Sequence, residues 1–169
     1  EQFIEIFNTR IKEKRKTFVV TANPEIVMYA NKDPNYMETL LKADYIIPDG
    51  FGIIIASRIL NQPLKERVAG VDLMCELLSL SEKNNYKVFL LGAKEKTFDQ
   101  AYMNIKKTYP KLSIVGRHHG YFDLSDERVV SEVLNVDPDL IFVATGFPRQ
   151  EYWIEKYIDR FHKGFFMCV

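Results

Sequence analysis

Thr17–Asn23 reads TFVVTAN and runs straight into Pro24: β-branched and aromatic residues, then a polar ending, then a helix-start signal. The run is continuously apolar rather than alternating, as expected of a strand covered on both faces, and the Asn-Pro step predicts a helix directly behind it. The same grammar recurs along the chain. Ala43–Asp49 (ADYIIPD), Tyr86–Ala93 (YKVFLLGA), Leu112–Phe122 (LSIVGRHHGYF), Asp139–Pro148 (DLIFVATGFP) and Gly164–Val169 (GFFMCV) are further strand-like runs. Between them, Val71, Met74 and Leu78 recur at helical spacing beside Leu73, Leu77 and Leu80, and Trp153, Tyr157 and Phe161 form a stripe flanked by Ile154 and Ile158. Both stripes read as core. Asp72 after Gly70, and Pro148 before a charged turn, mark further helix starts. Alternating strand and helix predicts an α/β fold: a Rossmann-like, doubly wound, mostly parallel sheet flanked by helices. With no repeat, low-complexity stretch or linker, residues 1–169 read as a single domain.

The chain has 169 residues, 47% of them hydrophobic and 13% aromatic, enough for one substantial core. Lys and Arg total 23 and so do Asp and Glu, so net charge gives no argument for a nucleic-acid partner. Cys75 and Cys168 both sit in apolar contexts without metal-type spacing and read as reduced core thiols of a cytosolic protein. No apolar run reaches the roughly 18 residues of a membrane span and no signal peptide is legible, so membrane contact is expected to be peripheral. The basic string RIKEKRK, Arg10–Lys16, reads as a solvated helix face ahead of a membrane-binding one. GFFMCV reads as a buried strand with no turn after it, which suggests a shortened chain. Apolar surface left bare by a missing tail would favour a homo-oligomer.

Ligands of open α/β sheets bind beyond the carboxyl ends of the strands. Five of the eight glycines lie at those ends, Gly50, Gly92, Gly116, Gly120 and Gly146, interleaved with Thr21, Asn23, Asp49, His118, His119, Tyr121 and Thr145. The mixture predicts a phosphate or sugar site. The dinucleotide GxGxxG, the P-loop and the GxSxG elbow are all missing, which argues against a dinucleotide oxidoreductase, a P-loop NTPase and a serine hydrolase. His118 and His119 are adjacent, so on a strand they would point to opposite faces and could not share a metal. Asp137 and Asp139, either side of Pro138, read as turn or capping residues. No metal and no cofactor is expected.

Asp49 in YIIPDGFG, Tyr45–Gly52, has two readings. A carboxylate after an apolar strand, with Gly50 and Gly52 leaving the backbone open, is placed to take a proton from a substrate hydroxyl. Asp is also among the best helix caps, and the following FGIIIASRIL is helical. Arg67 in KERVAGVD could meet a diphosphate or form a surface ion pair.

TANPEIV, ADYIIPDGFGI, ERVAGVDL, VFLLGA, IVGRHHGYF and PDLIFVATGFPRQEYWI, in this order and spacing, resemble the bacterial WecG/TagA/CpsF glycosyltransferases, glycosyltransferase family 26, from Thr17 onward. The resemblance implies a metal-independent, inverting transfer of N-acetylmannosamine from a UDP-sugar donor to the C4 hydroxyl of GlcNAc linked to undecaprenyl diphosphate. That disaccharide begins wall teichoic acid, and relatives handle other sugars. The location implied is cytoplasmic, peripheral on the inner face of the bacterial membrane. The resemblance assigns Asp49 as general base. It places Thr21, Asn23, Arg67, Gly70 and Asp72 at the substrates, with Arg67 at the diphosphate. Gly92, Ala93, His118, His119, Gly120, Tyr121, Gly146, Pro148, Gln150 and Glu151 are placed at the nucleotide. It further implies an arginine-bearing C-terminal tail, which these 169 residues do not include. Competing readings are a Rossmann-like nucleotide-binding enzyme of another class and a non-catalytic interaction module.

Overall fold

The computed structural model describes residues 2–64 and 68–169. Each apolar run contains a strand: β1 (Thr17–Ala22), β2 (Tyr45–Pro48), β3 (Lys87–Gly92), β4 (Ser113–His118), β5 (Leu140–Ala144) and β6 (Phe165–Cys168). They form one sheet in the order β2-β1-β6-β5-β3-β4, and every neighbouring pair is parallel. The fold is therefore the expected Rossmann-like α/β architecture, with the last strand inserted at the centre.

Continuous apolarity follows from helices on both faces. Phe18, Val20 and Ala22 of β1 point with Phe89, Leu91, Ile141, Val143, Phe166 and Cys168 toward α2 (Pro24–Lys32), α3 (Pro34–Leu41), α7 (Glu127–Val136) and α8 (Arg149–Tyr157). Val19, Val88, Leu90, Phe142, Phe165 and Met167 point the other way, toward α1 (Gln2–Lys12), α5 (Gly70–Asn84) and α6 (Glu95–Thr108). Alternate residues thus feed two cores, one on each face of the sheet.

The helix starts are local. Asn23 caps α2, its side-chain oxygen accepting from the Ile26 amide at 2.9 Å, and Pro24 occupies the first turn. Trp153 and Tyr157 are buried as the stripe predicts, as is Phe161 just after α8. In α5 the buried stripe is Leu73, Leu77 and Leu78, whereas Val71 is 73% exposed, on the side of the opening turn away from the buried Gly70 and Leu73. Cys75, expected in the core, is also exposed, on the outer side of α5; Cys168 is buried.

Polar contacts fasten the amino ends of the strands. Arg10 donates to Asp44 (2.8 Å) and to the Thr17 hydroxyl (2.7 Å), and Lys16 reaches Asp159, so part of the basic string is structural rather than a free solvated face. Asp139 accepts from the Lys87 amide and from the buried Lys163, which also pairs with Asp137. This ion pair joins the starts of β3, β5 and β6, a larger task than the turn expected of Asp137 and Asp139. Among the described residues no helix is long and apolar enough to cross a membrane.

Phe166 is fully buried in the central strand, with the Phe161 ring 5.0 Å away. Phe166→Ala should cost about 3–5 kcal/mol of stability, measured by denaturant unfolding. A loss below about 1 kcal/mol would mean that β6 is not the centre of the core.

Candidate functional site

The carboxyl ends of the strands form two neighbouring polar regions, with β6 between them. The first lies over β1 and β2. Asp49 follows β2, its amide donating to the Ala22 carbonyl at 2.9 Å, so the tips of β1 and β2 are tied together. α5 opens against this pair. A β-carbon at Gly70 would stand 3.1 Å from Asp49 Oδ2 and 3.1 Å from Thr21 Cγ2, so a side chain there would press on both and glycine lets the helix start sit close to them. The N-cap of α5, Ala69, makes no side-chain cap, and the positive end of a 15-residue helix faces a carboxylate. Thr21 is buried, and its hydroxyl donates to the Cys168 carbonyl at 3.1 Å.

The capping alternative for Asp49 can be read directly. α4 (Phe51–Ile59) has Gly50 at its N-cap, with φ +88° and no side-chain cap hydrogen bond. The half-buried Asp49 carboxylate is spent neither on that helix nor on an ion pair with any described residue. The flanking glycines have another use than expected. A β-carbon at Gly52 would stand 2.9 Å from Pro24 Cγ, so that glycine lets α4 pack on the first turn of α2. Asn23 has its side-chain oxygen committed to capping α2, and Asp72 is exposed in the first turn of α5. Arg67 lies outside the described residues.

The second region is an open cleft of about 730 Å³ over the tips of β3, β4 and β5. Of the residues that the family resemblance assigns to a nucleotide, Ala93, Gly120, Tyr121 and Gly146 line it, and so do Lys94, Phe122, Asp123, Ala144, Thr145 and Arg149. Its floor is tightly tied: the Ala93 amide donates to Ala144 O (2.8 Å) and the Gly120 amide to Ala93 O (2.9 Å). Gly92 (φ +132°) supplies the turn out of β3, and Gly146 (φ +81°) the turn out of β5 before the cis Phe147–Pro148 bond. Arg149, the first residue of α8, donates to Phe122 O at 2.6 Å, which leaves a positive group at the rim, with Lys94 on the facing loop. Neither cation was singled out from the sequence. Arg149 stands inside the GFPRQE string, and its position right after a helix-starting proline was the available signal.

Other predicted residues fall elsewhere. His118 and His119 do not point to opposite faces, because β4 ends at His118 and the chain turns: the rings lie 4.6 Å apart, and His118 Nδ1 is 2.7 Å from the His119 carbonyl. They border smaller hollows beside the cleft, with Asp99 and Arg117 and with Asp126 and Arg128. Among the described residues no group of three or more His, Cys, Asp or Glu side chains could hold a metal ion. Pro148 is the N-cap residue of α8 and does not line the cleft. Gln150 and Glu151 turn inward beneath the tips. Glu151 is 0% exposed and accepts from Gln150 Nε2 at 2.9 Å. Burial pushes its carboxyl up from the usual range, against the smaller opposing effect of the Gln150 hydrogen bond.

The α/β sheet thus carries a carboxylate against a helix start at one end of its row of tips and a cation-rimmed cleft at the other. The sequence profile of the Glycosyl transferase WecG/TagA/CpsF family matches residues 1–169, and the chain belongs to that family. It is 45% identical over 152 residues to the N-acetylglucosaminyldiphosphoundecaprenol N-acetyl-beta-D-mannosaminyltransferases of Staphylococcus aureus strains NCTC 8325 / PS 47, COL and MRSA252. Each match covers 90% of this chain and 59% of the relative, so the chain spans a little under three fifths of their length.

The raised Glu151 carboxyl has a consequence for stability. The folded chain holds this proton more tightly than the unfolded chain, so stability is highest below the ordinary glutamate range. It falls as pH rises through that range and levels off once the folded carboxyl has ionised. Glu151→Gln should remove this part of the slope and melt higher than the parent at neutral pH, as read by melting temperature from about pH 4 to about pH 8. Parallel curves for the two proteins would refute the assignment.

Proposed function

We propose that this chain is the catalytic domain of an inverting glycosyltransferase. It moves N-acetylmannosamine from UDP-N-acetylmannosamine to the C4 hydroxyl of GlcNAc on undecaprenyl diphosphate, in the synthesis of wall teichoic acid or a related surface polysaccharide. Membership of the family and the printed activity of the Staphylococcus aureus relatives support the reaction class. The observation that carries the mechanism is the Asp49 carboxylate, set against Thr21 and the start of α5 and not used as a cap.

In this reading Asp49 accepts the proton of the acceptor hydroxyl as its oxygen attacks the anomeric carbon from the face opposite UDP. The new C–O bond forms as the bond from the anomeric carbon to the diphosphate breaks, and UDP departs with the electron pair. Charge gathers on its oxygens. Lys94, Arg149 and the backbone amides of the glycine-rich turns are the groups that would meet it, with Arg67 assigned to the same diphosphate by its place in the RxxGxD string. The nucleotide occupies the cleft over β3, β4 and β5, and the acceptor approaches over β1 and β2. Phe51, Ile55, Ile59 and Leu60 are exposed on and just after α4, immediately beyond Asp49. They support peripheral contact with the membrane that holds a lipid-linked acceptor.

Asp49→Asn should leave melting and UDP affinity unchanged while lowering transfer to a diphosphate-lipid analogue by about 10²- to 10⁴-fold, the usual worth of a placed general base. A variant that keeps more than half the activity would remove Asp49 from the mechanism. UDP affinity, measured by calorimetry, should persist in EDTA, since amides and side-chain cations are assigned to the diphosphate; its loss on chelation would overturn that assignment.

A further inference from the structure

Beneath the strand tips lies a polar cluster that the reaction above does not use. Gln150 and Glu151 of α8, Tyr36 of α3 and Cys168 of β6 meet there, and all four are buried. Gln150 Nε2 donates to Glu151 Oε1, which leaves Gln150 Oε1, Glu151 Oε2 and the Tyr36 hydroxyl without a partner. Tyr36 and the Cys168 thiol are the ionisable groups that face Glu151, both carry no charge at neutral pH, and burial raises both further. Among the described residues no cation is paired with it. The nearest lysine–glutamate contact on the helix, Lys42 with Glu155, lies one turn further along.

Burial without a counter-charge limits what such a cluster can be. An ionised Glu151 would place a full charge in an apolar core with no cation beside it, served only by the Gln150 amide, the Tyr36 phenol and the weakly donating Cys168 thiol, all of them neutral. One more proton, on Glu151 Oε2, removes that charge and gives the cluster a strong O–H donor. The cluster also has a route to the tips: Cys168, whose thiol faces Glu151, accepts through its carbonyl from Thr21, and Thr21 packs against Gly70 beside Asp49.

We propose that Glu151 is a positioning residue for the Asp49 site. It works as a neutral acid whose hydroxyl completes the Gln150–Tyr36 network and holds α3, α8 and the end of β6 in the register that places Thr21. The inference rests on the functional reading only in naming that site as the one positioned. The acid and its contacts are open to test without turnover.

The test uses the intact chain with isotope-edited infrared spectra and amide NMR spectra of Glu151→Gln and Glu151→Ala. At pH 7 the parent should display the carbonyl band of a protonated carboxylic acid, lost in Glu151→Gln. Glutamine has a donor and an acceptor in the same places, so Glu151→Gln should leave the Thr21 and Gly70 amide signals where they are. Glu151→Ala should move them. A parent without the protonated band, or a glutamine variant that shifts those amides as far as alanine does, would overturn the proposal. If the alanine variant does not fold, the infrared band and the glutamine spectrum still decide. Native spectra together with no sugar transfer would count against the functional reading alone.

Discussion

The sheet is continuous only because the last strand enters its middle. β6 pairs with β1 on one side, Thr17 opposite Phe165 through Val19 opposite Met167, and with β5 on the other, Leu140 opposite Phe165 through Val143 opposite Cys168. Without it the strands would fall into a pair, β2-β1, and a trio, β5-β3-β4, each with a bare edge in an apolar setting. All four β6 residues are buried, and the Lys163 ion pair anchors the strand's entry against Asp137 and Asp139. Burial of the flanking Phe165 and Phe166 on opposite faces drives the insertion, and the ladder hydrogen bonds fix its register.

The arrangement of the polar tips depends on that insertion. The Asp49 region belongs to the pair and the cation-rimmed cleft to the trio, and the end of β6 is the partition between them. The Thr21 hydroxyl donates to the Cys168 carbonyl, while the Val169 amide donates to Val143 O. A single strand end therefore sets the geometry of both tip regions. A shift of β6 by one residue would reverse its faces, pulling Phe166 from one core and Phe165 from the other.

Legibility from the sequence followed the range of the interaction. Strand runs and the Asn23-Pro24 helix start are local or periodic features, so they could be read in place, and continuous apolarity announced the two-sided cover. What depends on partners distant in sequence could not be read. The exposure of Cys75 depends on which side of α5 meets the sheet, and the structural use of Arg10 depends on Asp44. The paired histidines misled because the period-two argument holds only while the strand continues, and β4 stops at His118. In the candidate site, Ala93, Gly120, Tyr121 and Gly146 were legible as strand-tip residues, since the turn chemistry that marks a tip also lines the cleft. Arg149 was not, because nothing local tells a rim cation from an ordinary first-turn residue. Gln150 and Glu151 look like surface residues by composition, and only the packing of α8 on β6 and α3 turns them inward.

The two carboxylates illustrate why position decides what an acidic side chain can do. Asp49 stands at a half-buried strand tip facing a helix start, open in part to solvent and set against the amides of that helix start. Glu151 sits two strands away under the same row of tips, sealed from water among a phenol, a thiol and an amide, where burial outweighs the hydrogen bonds that favour the charged form. The two environments are not interchangeable: a sealed acid has no contact with solvent or an entering molecule, and a solvent-facing one has no need to stay neutral. The division follows from helix geometry. Gly70 brings a positive helix end onto Asp49 because it has no side chain, whereas Glu151 lies one residue past Gln150 on the face of α8 that Trp153 and Ile154 also press against the sheet.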